Sequence, residues 1–251
     1  MDSFSTLVQQ AQRSLVIARK NIRIYYSKGP VVIFGILFPV FLFLAFAVGR
    51  DFSIQFMLPG LLGMVLFFTS TAISPAVAPW ETQARTLERL ISSPLTASTI
   101  ILGDILASFA FGFLISLIPL GAGLALSLQI HTPAALFGGL ILAGFCFSSL
   151  GLMFSAAPAT MPSTIMMLSS MIKFPVVFIS GIFIPLKQLP GWGKIISYIS
   201  PLTYFTDIAR HCIQNEGYLS LGVDFLALFA FTGLFLILAL KLHQKTMPER
   251  I

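Results

Sequence analysis

From Phe52 to Trp80 the chain runs 29 residues without a charged side chain. A helix needs only roughly 20 residues, at about 1.5 Å each, to cross the ~30 Å hydrocarbon core of a bilayer. Comparable intervals recur: 21 residues from Gly29 to Gly49, then Ile105 to Ile130, Ala134 to Phe154, Thr164 to Ile184 interrupted only by Lys173, and Phe225 to Leu240. The composition agrees, with 57% hydrophobic and 10% charged residues against roughly 45–50% apolar and about 25% charged in a soluble domain. The expectation is an all-α membrane protein with six transmembrane helices.

Residues 1–30 precede the first span and read differently. Leu7, Ala11, Leu15, Ala18, Ile22 and Tyr25 recur every three or four positions, while Arg13, Arg19, Lys20 and Arg23 occupy other faces. That pattern predicts an amphipathic helix lying on the membrane surface, where basic residues also favour anionic headgroups. Ala45-Phe-Ala47 is reminiscent of a signal-peptidase site, but the 21-residue run before Arg50 exceeds a signal h-region and is read as a retained helix.

The resulting single domain comprises 31–80 as spans one and two, a polar connection over 81–104, and 105–184 as spans three to five. A mixed segment follows over 185–222, then span six over 223–241 and a tail over 242–251. Span two has residues to spare, which predicts loop around Pro59 or Pro75. The final uncharged core, Phe225–Leu240, is 16 residues, so Asp224 and Lys241 are expected at the two interfaces. Six spans put both termini on one side. Lys and Arg number five before the first span, two in the 81–104 loop and three in the tail, against Arg50, Lys187, Lys194 and Arg210 opposite. The positive-inside rule then places both termini and the 81–104 loop in the cytoplasm. The net charge of +6 is explained by this topology, and no nucleic acid partner is implied.

No G-x-x-x-x-G-K-[ST] run, G-x-S-x-G elbow or H-E-x-x-H motif occurs, so neither phosphate cradling nor hydrolytic or metal chemistry is indicated within the chain. His131, His211 and His243 are expected in separate connections, and Cys146 and Cys212 in an apolar run and a polar loop. Lys173, about ten residues into span five, is costly at that depth, so it either faces a cavity, partner or substrate pathway or snorkels to the interface. Asp207 and Arg210 could pair one helical turn apart. Trp192, Tyr198 and Tyr204 read as interfacial anchors. In the 81–104 loop, Leu87, Leu90 and Ile91 can share one face of a short helix that Pro94 stops, a form suited to docking on a partner.

The stretch ETQARTLERLISSPLTASTIILGD (81–104) resembles the first cytoplasmic loop of type-2 ABC exporter permeases: an acidic residue, T-L-E-x-L, S/T-P-L, then L-G before span three. SGIFIPLKQLPGWGKIISYISPLTYFTDIAR (180–210) is similar to the family's S-G-x-x-x-P, L-P-x-W, P-L-T-Y and R pattern. In this order, within a six-span chain preceded by an amphipathic helix, they extend the resemblance to the drug-resistance, sodium-extrusion and polysaccharide-export permeases over nearly the full length. The resemblance implies a homodimer or heterodimer of permeases on two ATP-binding-cassette subunits. No cofactor would be bound by this chain, and ATP and Mg would lie on the partner ATPase. It further implies an ATPase-coupling helix over 81–95, with Glu81, Arg85, Leu87, Glu88, Leu90, Ile91, Pro94 and Leu95 as candidates, and Lys173 as the candidate of the substrate pathway. Short re-entrant helices would occupy 185–222 near the outer leaflet. Two positions depart from the pattern: Arg85 stands where the family often has Gly, and Asp104 where it often has a basic residue. The rival readings are an ion-coupled secondary transporter, which usually carries intramembrane acids, and a membrane-bound enzyme or structural subunit.

Overall fold

The computed structural model describes residues 2–26, 29, 32–48, 53–93, 95–157 and 161–246. Among these every regular element is helical. Helix α1 (Asp2–Tyr25) is followed by a π-helical turn (Val32–Leu37) running into α2 (Phe38–Ala47). Then come α3 (Ile54–Ser70), α4 (Ser74–Gln83), the short α5 (Thr86–Ile91) and α6 (Ala97–Ala125). Next are α7 (Pro133–Ser155), α8 (Pro162–Ile179), a 3-10 turn (Leu186–Gln188), α9 (Gly191–Ser197), α10 (Pro201–Gln214) and α11 (Leu221–Thr246).

The starts of these helices are written locally. Ser53 caps α3 by accepting from the Phe56 N–H at 3.3 Å, and Thr96 caps α6 by accepting from the Thr99 N–H at 3.3 Å. Pro133, Pro162 and Pro201 each open a helix in its first turn, where the missing N–H costs nothing. Asn215, at φ 55°, ends α10 in the left-handed conformation.

Five helical stretches among the described residues are long and apolar enough to cross a membrane: Ile54–Gln83, Ala97–Ala125, Pro133–Ser155, Pro162–Ile179 and Leu221–Thr246. The expected first span, 31–49, contributes a shorter apolar helix, Gly35–Ala45, and Arg50 and Asp51 beyond it lie outside the described residues. In the expected second span the interruption falls at Thr71–Ile73. Pro59 lies inside α3 and Pro75 in the first turn of α4, so neither marks loop. The polar connection is correspondingly smaller than 81–104: α4 runs to Gln83 and α6 begins at Ala97. Helix α11 extends past Lys241 to Thr246, and Asp224 is enclosed by protein instead of standing at an open interface.

α7 lies along α11, α1 along α6, and α3 between α6 and α10. α4 packs on α7 and α8. The largest core joins α3, α7 and α10 through an edge-to-face ladder of Phe67, Phe147 and Phe205, with centroids 5.1 Å and then 6.4 Å apart. α10 is the surprise of this arrangement, because every residue from Pro201 to Arg210 is buried. Within it Tyr204 donates its hydroxyl to the Tyr198 carbonyl at 2.8 Å, so Tyr204 is a core residue and not an interfacial anchor. Trp192 is exposed, as an anchor would be.

Asp207 and Arg210 do not form the expected ion pair. The Asp207 carboxylate instead accepts from the N–H groups of Tyr218 (2.9 and 3.0 Å) and Leu219 (2.7 Å), and Arg210 donates to the Gly181 carbonyl at 2.5 Å. Each closes a separate backbone turn. Burial holds the Arg210 guanidinium below its usual range, an effect Asp207 opposes. His211 and His243 sit within α10 and α11 rather than in connections, and Cys212 is a buried free thiol of α10 rather than a loop residue.

Candidate functional site

Helix α1 packs on α6 through a face that shares only Ala18 and Tyr25 with its apolar row. Ser14, Ile17, Ala18, Asn21 and Tyr25 are buried, whereas Leu15 and Ile22 are exposed. The approach is close because Gly103 of α6 has no side chain: a Cβ there would lie 2.7 Å from Ile17 Cβ and 2.9 Å from the Ser14 carbonyl oxygen. Polar atoms excluded from water by that contact need partners. Ser14 donates to the Thr99 carbonyl at 3.1 Å, the Thr99 hydroxyl meets Gln10, and the Tyr26 hydroxyl donates to Ser108 Oγ at 2.8 Å.

Two charged contacts complete this seam. Lys20 Nζ donates to Glu81 Oε1 at the end of α4, and Asn21 Nδ2 donates to Asp104 Oδ1 of α6. The Tyr25 ring stacks on Trp80, centroids 5.5 Å apart and 11° from parallel, with Lys20 Nζ 6.0 Å from the Tyr25 centroid. Burial, reinforced by the negative charge of Glu81 and Asp104, pushes the Tyr25 hydroxyl above the ordinary phenol range; burial does the same at Tyr26. The departure at Asp104 therefore has a structural meaning: the side chain is turned onto α1.

The eight coupling candidates divide into two sets. Glu81 is 1% exposed and belongs to α4, not to a loop. Leu87 is equally buried, and Leu90 and Leu95 pack against the cluster of Ile17, Ile100, Ile101, Ile105 and Leu152. The expected apolar docking face is thus turned at Leu87 into this chain's own core. What α5 leaves outward is polar: Arg85, Glu88, Arg89 and Ser92. Arg85 adopts φ 51°, ψ 29°, the left-handed turn between α4 and α5 that glycine makes without strain. Pro94 and the side chain of Ile91 lie outside the described residues.

Lys173 is in none of this. It projects from α8 to the break between α3 and α4, where its Nζ donates to the Thr71 carbonyl at 2.6 Å. Interrupting a helix at Thr71–Ile73 frees carbonyls that need a donor at depth, and Lys173 supplies one. The side chain is buried, with only 6% of the residue exposed. It borders a cavity of about 400 Å³ walled by Phe38, Phe68, Met166, Ser170 and Phe174.

Sequence reasoning missed Lys20, Asn21, Tyr25 and Trp80 as partners of the 81–104 connection. The available signal was Asn21, a polar residue in register with the packed row Ser14, Ile17 and Ala18, together with the anomalous Asp104.

The ABC-2 type transporter family model matches residues 11–213. Among curated relatives, the probable multidrug ABC transporter permease YbhR of Escherichia coli is 23% identical over 168 residues, 66% of this chain and 45% of that protein. The inner membrane transport permease YadH of Escherichia coli is 24% identical over 195 residues, 76% of this chain and 75% of that one. Nodulation protein J of Sinorhizobium fredii is 29% identical over 167 residues, 62% of this chain and 60% of its own length. The match therefore spans less than half of YbhR. These relatives are named as transport permeases or a nodulation protein, not as secondary transporters. By the extent of the family match and the helical architecture that carries it, the chain belongs to the ABC-2 type transporter family.

Proposed function

We propose that this chain is the membrane-spanning subunit of an ATP-binding-cassette exporter, forming the substrate pathway as a dimer with a second permease copy. It crosses the inner membrane six times with both termini cytoplasmic, the 31–49 segment supplying the first span. Residues 185–222 form short re-entrant helices on the opposite side. ATP and Mg²⁺ are held by separate ATPase subunits, which seat α5.

The observation that carries this reading is the build of α5. On its inner side Leu87 is buried and Leu90 packs on the cluster of Ile17, Ile100 and Ile101, and just ahead of it the buried Glu81 of α4 pairs with Lys20 of α1, while Arg85, Glu88 and Arg89 project outward. A push on that outer row is transmitted to a spanning helix and not absorbed by a slack loop. Lys173 lines the pathway: it is the buried cation at span depth beside a 400 Å³ apolar cavity, suited to meeting an anionic or carbonyl group of a substrate.

The test is reconstitution with an ATP-binding-cassette ATPase that co-purifies with the chain. Glu88→Ala and Arg89→Ala are expected to insert normally yet lower transport-linked ATP hydrolysis severalfold, and Lys173→Met to lower substrate movement while ATP hydrolysis persists. Unchanged coupling in both α5 variants refutes the docking assignment. Labelling of a cysteine placed at Arg85 only from outside the cell refutes the topology.

A further inference from the structure

Helix α1 sends its basic side chains to two different environments. Lys20 turns inward to Glu81, whereas Arg19 and Arg23, one helical turn apart, are exposed and join no ion pair among the described residues. Beside them a groove of about 650 Å³ runs between α1 and α6, walled by Leu15 and Ile22 on one side and Leu106 and Phe109 on the other. Leu15 is 60% exposed in this groove, so nothing among the described residues covers it. The α6 wall belongs to a helix long and apolar enough to cross the membrane.

An occupant must satisfy both halves. A free inorganic anion would use the guanidinium groups and leave the apolar wall bare. A zwitterionic lipid would cover the wall but bring its own cation beside the phosphate and leave the two guanidinium charges unbalanced. Residues four apart on a helix stand about 5–6 Å from each other at Cβ, close enough for both forks to reach one phosphodiester, which guanidinium binds in bidentate fashion. We propose that this groove is a binding site for an anionic phospholipid, its phosphate held by Arg19 and Arg23 and an acyl chain laid on Leu106 and Phe109. The lipid would cover the face of α1 opposite the Lys20–Glu81 seam, clamping the helix to α6 from its open side.

The full-length protein, purified in mild detergent without an ATPase, is titrated with phosphatidylglycerol and with phosphatidylcholine of the same acyl chains, and bound lipid is counted by native mass spectrometry. Two cationic contacts predict a preference for phosphatidylglycerol of roughly thirtyfold. Arg19→Gln/Arg23→Gln should abolish the preference, and Lys241→Gln/Lys245→Gln, which removes two exposed basic residues elsewhere, should not. Ala110→Trp, which fills the groove and keeps both charges, should also lose the bound lipid; it preserves the test should the arginine double variant fold poorly. A wild type without preference, an equal loss in the Lys241/Lys245 variant, or displacement of the lipid by inorganic phosphate would each overturn the proposal.

Discussion

Lys20 of α1 and Glu81 of α4 form an ion pair between residues 61 positions apart, and the Glu81 carboxylate is closed off from solvent while Lys20 remains partly exposed. This contact attaches α1 to the last turn of α4, just ahead of α5. Removing one partner strands a charge in a poorly hydrated site. Glu81→Gln should destabilise the protein by about 1.5–3 kcal/mol, seen as a fall of several degrees in thermal unfolding in detergent. Lys20→Met/Glu81→Gln should lose less than the sum of the single variants, since the double variant leaves no stranded charge. Additive losses would show that the contact carries no coupling energy.

Arg85 occupies left-handed backbone at φ 51°, where a Cβ crowds the following carbonyl at a cost of about 1–2 kcal/mol. Arg85→Gly relieves that strain, partly offset by the greater freedom of glycine in the unfolded chain. The expected outcome is a gain of about 0.5–1 kcal/mol in stability, whereas Arg85→Ala gives none. Because Arg85 is also exposed beside Glu88, the same glycine variant separates backbone geometry from charge: a more stable protein with weaker ATPase coupling would mean that the guanidinium itself is used by a partner.

Gly103 sets the distance between α1 and α6. Its Cβ would meet the Ser14 carbonyl at 2.9 Å, backbone that cannot rotate away. Gly103→Ala should cost about 1–3 kcal/mol and raise the amide exchange of α1 over residues 14–25, leaving α7 and α11 protected. Unchanged exchange in α1 would count against the close approach.

Cys146 and Cys212 are both fully buried free thiols, and burial raises the Cys212 thiol above its usual range. Since the thiolate is the nucleophile, neither cysteine should react with maleimide in the native protein, and both should react after denaturation. Rapid labelling of Cys212 would mean that α10 is not inserted among α3, α7 and α11.

Asp207 accepts three hydrogen bonds from the N–H groups of Tyr218 and Leu219. Asp207→Ala leaves those donors without a partner and should cost about 2 kcal/mol, with new protease sensitivity near residues 215–220. If Arg210→Ala produced that same cleavage, the two side chains would be acting as one pair, contrary to their separate partners.

The sequence alone determined that the chain is all helical and carries several apolar helices long enough to cross a membrane. Uncharged lengths specified which stretches can cross lipid, while the helix starts at Ser53, Thr96, Pro133, Pro162 and Pro201 came from the structure, although capping and φ restriction act over only three or four residues. The amphipathic α1 and the short α5 were legible too. Which side of each helix faces inward was not. Lipid is as apolar as a core, so outside water the hydropathy of Leu15 or Ile22 does not distinguish a packed face from a bare one. Close approach at Gly103 and the partners of polar atoms decide instead, and those partners are far away in the chain: Asn21 with Asp104, Lys20 with Glu81, Lys173 with Thr71. Only the tertiary structure could place Glu81 and Leu87 inside and leave Glu88 and Arg89 outward, because the energy of a buried charge depends on what stands opposite it.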